Sequence, residues 1–158
     1  MSPSGLRIVN PLDSHIGYQL RRLSTKLMAD LATRLKKLGL RPVDATVLVL
    51  IENNPLITQA KLGVTLGILP ANMVPLITRL MSRNLISREA LDGKSQGFRL
   101  TADGEELCRQ AKEQLQQHDA SFFGGLSENQ HTELRDKLKT FPQLSSTRQH
   151  TSKAGKPD

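Results

Sequence analysis

A chain of 158 residues is about the size of one domain built on a single hydrophobic core. Its 22 Lys and Arg against 15 Asp and Glu leave a net charge of +7, which favours polyanionic partners such as DNA, RNA or an anionic membrane without choosing among them. One cysteine, Cys108, excludes an intrachain disulfide and a Cys-rich metal site, and the richest apolar stretch, Val43 to Ile51, is far too short to span a bilayer. The first residues, Met1 to Arg7, carry neither the charged start nor the apolar middle of a signal peptide, so a cytoplasmic location is expected.

From Ser14 to Leu38, the residues Ile16, Leu20, Leu23, Leu27, Leu31, Leu35 and Leu38 recur every three or four positions and form one stripe of a long helix. Ser14 is its expected N-cap and Gly39 its terminator. Pro42 suits a first helical position, so a short, largely buried helix runs from there through Ile51 and stops at Asn53-Asn54-Pro55. Thr58 caps a third helix over 59–66, which Gly67 breaks. A fourth opens at Pro70, with Met73, Leu76, Ile77 and Leu80 facing one way and Asn72, Thr78, Arg79 and Arg83 on or beside the other. Pro75 deletes one backbone bond inside it, which predicts a late start or a bend.

Beyond Asn84 the pattern turns extended: Leu85 to Ala90 and Phe98 to Leu100 flank the turn-rich Asp92 to Gly97, as in a hairpin. Thr101 caps a fifth helix to about His118, with Leu107, Ala111 and Leu115 at apolar spacing. Phe122-Phe123-Gly124-Gly125 breaks it, and Ser127-Glu128-Asn129-Gln130 has the capping-box form that starts a sixth, whose stripe is Leu134, Leu138 and Phe141. The remainder is aperiodic Ser, Thr, Gln, Lys and Gly, the composition of a disordered tail.

Two short helices joined by a Gly-containing turn and followed by a hairpin are the order of a winged helix-turn-helix. The fold class expected is therefore mainly α with a small β-hairpin wing. A major groove admits one helix, whose N-terminal half reaches base edges. Here that assigns DNA contact to Asn72, Met73, Thr78, Arg79 and Arg83, with Asn72 able to offer adenine a donor and an acceptor and Arg79 placed for phosphate. Lys94, the hairpin's tip cation, is assigned to the neighbouring minor groove or phosphate. Arg88 and Arg99 serve either DNA or the bracing of the hairpin through Glu89 and Asp92.

These pieces together resemble the MarR family of bacterial regulators over about residues 13–141. The likeness rests on Leu40-Arg41-Pro42, Thr58-Gln59-Ala60-Lys61-Leu62, Ala71-Asn72-Met73-Val74-Pro75-Leu76-Ile77-Thr78-Arg79-Leu80, Asn84-Leu85-Ile86-Ser87-Arg88 and Leu100-Thr101-Ala102-Asp103-Gly104. Where the family usually has an Asp-Arg-Arg-like wing, this chain has Asp92-Gly93-Lys94, so the first wing arginine is missing. The resemblance implies a DNA-binding lobe at 40–100 and dimerisation helices at 13–39 and 101–141; a flexible segment at 1–12 and a basic disordered tail at 142–158 are expected to flank them. It further implies a homodimer on a pseudo-palindromic operator in double-stranded DNA, and repression relieved by a small effector such as an aromatic acid or its thioester. His15, Tyr18 and Arg22 lie where that effector pocket is expected, able to hold a carboxylate or phenol by charge and hydrogen bond.

No Gly-rich phosphate loop, metal-spaced His and carboxylate set, or nucleophile with a base is visible in the sequence, so no enzyme, cofactor or metal is expected. Two other readings compete: a winged-helix module that binds protein, and a thiol-based redox regulator acting through Cys108.

Overall fold

The computed structural model describes residues 9–92 and 95–141. Expectations for residues 1–8, for Lys94 at the hairpin tip and for the tail at 142–158 lie outside the described residues. Helix α1 spans Ile16–Lys36. Ser14 does not cap it: Asn10 caps a 3-10 turn over Pro11–Ser14, the Ser14 hydroxyl donates to the Pro11 carbonyl at 3.2 Å, and His15 takes the cap position without a side-chain bond. Pro11, pre-set for a helical first turn, starts this separate turn and so shifts the entry to α1. The exit is as expected, since Gly39 has φ +65 and the Leu40 N–H returns to the Leu35 carbonyl at 3.1 Å.

Helix α2, Pro42–Asn53, begins at its proline and buries Ala45, Val47, Leu48 and Ile51. Strand β1, Ile57–Thr58, leads into α3, Gln59–Leu66, where the Thr58 hydroxyl accepts from the Lys61 N–H at 3.3 Å. Helix α4, Pro70–Ser82, starts at once at Pro70 and continues through Pro75, so the expected late start does not occur. Loss of the Pro75 N–H is one bond among many, and the buried face on either side of it holds the helix together.

The wing is β2, Ile86–Asp92, and β3, Ser95–Leu100, paired antiparallel with a register shift between Ala90 and Asp92. Its strands reach farther into the turn-rich segment than composition indicated. Strand β1 adds a third member on the other side of β3, with Ile57 opposite Phe98, giving the order β1-β3-β2. A two-residue strand has no alternation to read, so it left no sequence signal.

Helix α5, Ala102–Phe123, runs five residues beyond His118 and takes Phe122 and Phe123 into its last turn. Gly104 lets it start against the wing: a Cβ there would stand 1.9 Å from the Leu85 carbonyl oxygen. Helix α6, Glu128–Thr140, opens with the predicted capping box, in which the Ser127 N–H donates to Gln130 Oε1 at 2.9 Å and the Gln130 N–H to Ser127 Oγ at 3.4 Å.

One core joins these parts. Leu48 and Ile51 from α2, Leu62 from α3, Met73, Ile77 and Leu80 from α4 and Phe98 from β3 are almost wholly buried together, each such side chain contributing about 1.5–3 kcal/mol of transfer free energy. Cys108 and Ala111 carry that core onto α5, and Leu35 carries it onto α1. The first half of α1 is different: Ile16 is 73% exposed, and Leu20 and Leu23 are uncovered with it.

Candidate nucleic-acid interface

The interface is built from α3, its turn and α4. Gly67 ends α3 in the left-handed conformation at φ +63, and the Ile68 N–H donates back to the Gly63 carbonyl at 2.9 Å, turning the chain tightly enough to set the two helices at 116°. That is the crossing a helix-turn-helix uses to lift its second helix clear of the lobe. On α4 the spacing then sorts side chains by face. Met73, Leu76, Ile77 and Leu80 point into the core, while Ala71, Pro75, Thr78 and Ser82, at i, i+4, i+7 and i+11, form the opposite, exposed face with Asn72 and Val74 at its edges.

Asn72 and Thr78 thus stand exposed on the side of α4 away from the core. Met73 does not: it is 1% exposed and fills the lobe core, so its assignment to DNA is corrected. Arg79 turns inward at the helix edge, where its Nη2 donates to Asp44 Oδ1. Asp44, fully buried at the third position of α2, also accepts from the Arg41 N–H at 3.0 Å and from the Arg41 guanidinium at 3.3 Å. The carboxylate therefore caps α2 and ties α4 to it, and Arg79, expected at phosphate, is engaged here by Asp44. Arg83 is also engaged, its Nη1 donating to the Gly39 carbonyl at 2.7 Å across the exit of α1. An acid three residues into a helix is a legible capping signal; its partner 35 residues away is not, because no local spacing encodes it.

On the wing, Arg99 Nε donates to Glu89 at 2.9 Å, which is the bracing alternative, and the Arg88 guanidinium lies 5.7 Å from the Phe98 ring centre. Lys94 falls outside the described residues.

At the start of α1, Tyr18 bonds Asn10 Nδ2 at 2.9 Å through its hydroxyl and is flanked by the Arg21 and Arg22 guanidinium groups, each 5.5 Å from its ring centre. Arg22 Nη1 also donates to Asp13 at 3.1 Å, and His15 is exposed beside them. The three expected effector residues thus share the first turns of one helix, on the uncovered end. Sequence reading missed His118, which is buried 5% exposed at the α1–α5 contact: its Nε2 donates to the Leu27 carbonyl at 3.0 Å and its ring lies 5.1 Å from Phe122. Near it, a cleft of about 410 Å³ between the end of α5 and α6 is lined by Asp119, Phe123, His131, Leu134 and Arg135 among others.

Cys108 is fully buried, and burial first, then the nearby Glu52 carboxylate, pushes its thiol up to about 11. A redox sensor needs an accessible thiolate, so this environment speaks against the thiol-regulator alternative. Among the described residues no single helix is long and apolar enough to cross a membrane.

A two-helix reading unit, a hairpin wing in a three-stranded sheet and long flanking helices define the class as a winged helix-turn-helix regulator. In fold and in sequence the chain is similar to MarR-family regulators. The HTH-type transcriptional repressor Rv2887 of Mycobacterium tuberculosis is 26% identical over 129 residues, covering 80% of this chain and 93% of that protein. CouR from Rhodococcus jostii RHA1, solved with p-coumaroyl-CoA, matches with a TM-score of 0.76 and 26% identity over 86% of this chain and 99% of its own. CouR bound to a 23-mer DNA duplex matches with a TM-score of 0.75 and 28% identity over 82% and 93%. No protein-family model matches the chain.

Proposed function

We propose that this chain is a homodimeric, cytoplasmic transcriptional repressor rather than an enzyme, that it binds a pseudo-palindromic operator, and that a small aromatic acid or thioester releases it. The observation that carries the reading is α4: a helix held by its apolar face at 116° to α3, with Asn72 and Thr78 presented outward. The DNA-bound and p-coumaroyl-CoA-bound states of CouR support the operator and the effector class respectively. The apolar stripe left open on α1 by Ile16, Leu20 and Leu23, together with the half-open Leu134 and Leu138 on α6, supports a second subunit. Two reading helices must then stand about 34 Å apart, one turn of duplex. For the effector, the ring and cations at Tyr18 and Arg22 supply stacking and a carboxylate partner, with His15 beside them.

The test is selection of bound duplexes from genomic fragments by the full chain, followed by titration against salt and against aromatic acids and their thioesters. Affinity that falls steeply with ionic strength, and a complex released by one of those compounds, is the expected result. One observation favours a second reading, a module that binds protein: the outward face of α4 carries no free cation. Absence of duplex binding at low salt would decide for it.

A further inference from the structure

From the composition of that same face we infer that α4 reads thymine methyl groups, so that the half-site this chain selects is built on A·T pairs. The inference rests on the DNA-binding reading above and deepens it to the bases recognised. Guanine is read in the major groove chiefly by Arg or Lys donating to O6 and N7 together. The arginines of α4 and its C-cap are Arg79 and Arg83, and neither projects from the outward face: Arg79 turns to buried Asp44 and Arg83 to the Gly39 carbonyl. What the face offers instead is carbon. The Ala71 methyl, the Pro75 ring and the Thr78 γ-methyl lie along its centre, and Val74, 55% exposed, flanks them.

An exposed apolar helix face is a cost in water unless something covers it. In a major groove the C5 methyl of thymine is the one apolar group at the base edges, and Ala and Thr methyls are among its usual partners. Asn72, on the far edge of the face, has the donor and acceptor pair that matches adenine N7 and N6. Adenine and thymine on opposite strands of neighbouring pairs are therefore recognised by one hydrogen-bonding side chain and a strip of methyls. Exposed Val64 of α3 and Leu69 at the turn extend the apolar surface toward the start of α4.

The experiment uses the full chain and a duplex first selected from a random pool. Thymines are then replaced one at a time by deoxyuracil, which removes only the C5 methyl, and guanines by 7-deazaguanine, which removes only the N7 acceptor. The expected result is a loss of about fourfold in affinity for each methyl that α4 covers, clustered at two sites one helical turn apart, with no effect of 7-deazaguanine. Val74→Ser and Thr78→Ser, both at exposed positions that leave the lobe core intact, are each expected to bring the thymine-to-uracil ratio at one position close to one. Deoxyuracil without effect anywhere, a strong loss with 7-deazaguanine, or an unchanged ratio in both variants would overturn the inference while leaving the regulator standing. Failure to select any duplex would remove the DNA-binding reading itself, and this one with it.

Discussion

At Asp44 a single carboxylate does two jobs, capping α2 through the Arg41 N–H and receiving Arg79 from α4. Arg79→Ala removes a charged partner from a fully buried acid and is expected to cost about 2 kcal/mol of stability, read as a lower urea midpoint. Asn72→Ala touches no core group and should stay within about 0.5 kcal/mol of the parent while relaxing base preference at one pair of each half-site. The contrast marks what was legible here. Helical spacing alone puts Asn72 and Thr78 on the outward side of α4, whereas the tie of Arg79 to Asp44 leaves no local trace, because a cation beside such a helix looks the same in sequence whether it faces solvent or a buried acid.

Cys108 is a second residue whose surroundings decide its chemistry. With its thiol pushed up to about 11 against an unfolded value of 9.0, the folded state holds this proton more tightly. Its contribution to stability is therefore complete below about pH 9 and is lost as pH rises from 9 toward 11. The native thiol should accordingly ignore a disulfide reagent at pH 8 and react only when urea unfolds the chain, and peroxide should leave DNA binding unchanged.

Among the elements, α4 carries an interior proline that its neighbours tolerate. Pro75→Ala restores the N–H that the Ala71 carbonyl lacks, and a rise of about 1–3 kcal/mol in stability is expected, seen as a higher Tm. The opposite holds where α5 meets the wing. Gly104→Ala drives a methyl into the Leu85 carbonyl and should cost about 1–3 kcal/mol, with hydrogen exchange quickening first at the end of β3 and the start of α5. Helices were legible because their signals are local: Thr58, Ser127, Gly39 and Gly67 punctuate the chain where the structure does. Strand β1 and the last turn of α5 were not, since the first exists only by pairing with β3 and the second overrides a Phe-Phe-Gly-Gly break.

For the whole molecule, the lobe closes a core of its own while the first half of α1 leaves Ile16, Leu20 and Leu23 uncovered. If a second subunit covers it, Leu20→Glu combined with Leu134→Glu should halve the mass seen by light scattering at micromolar concentration, and the melting temperature of the parent should rise with protein concentration. The effector reading is tested at the same scale by Arg22→Ala, expected to raise the effector concentration needed to release the operator while leaving operator affinity near the parent value.

The tie at Asp44 has one more consequence, for how such a release has to work. Helix α4 is yoked to α2, and α2 is joined in turn to α5 by the Lys112 to Glu52 ion pair at 2.8 Å and by shared core packing. These ties predict that the reading helix moves with its lobe rather than alone, as an oar travels with its handle. On the proposed reading, a compound lodged near the long helices would gain its leverage from length, because a few degrees of tilt at the handle become ångströms at the blade.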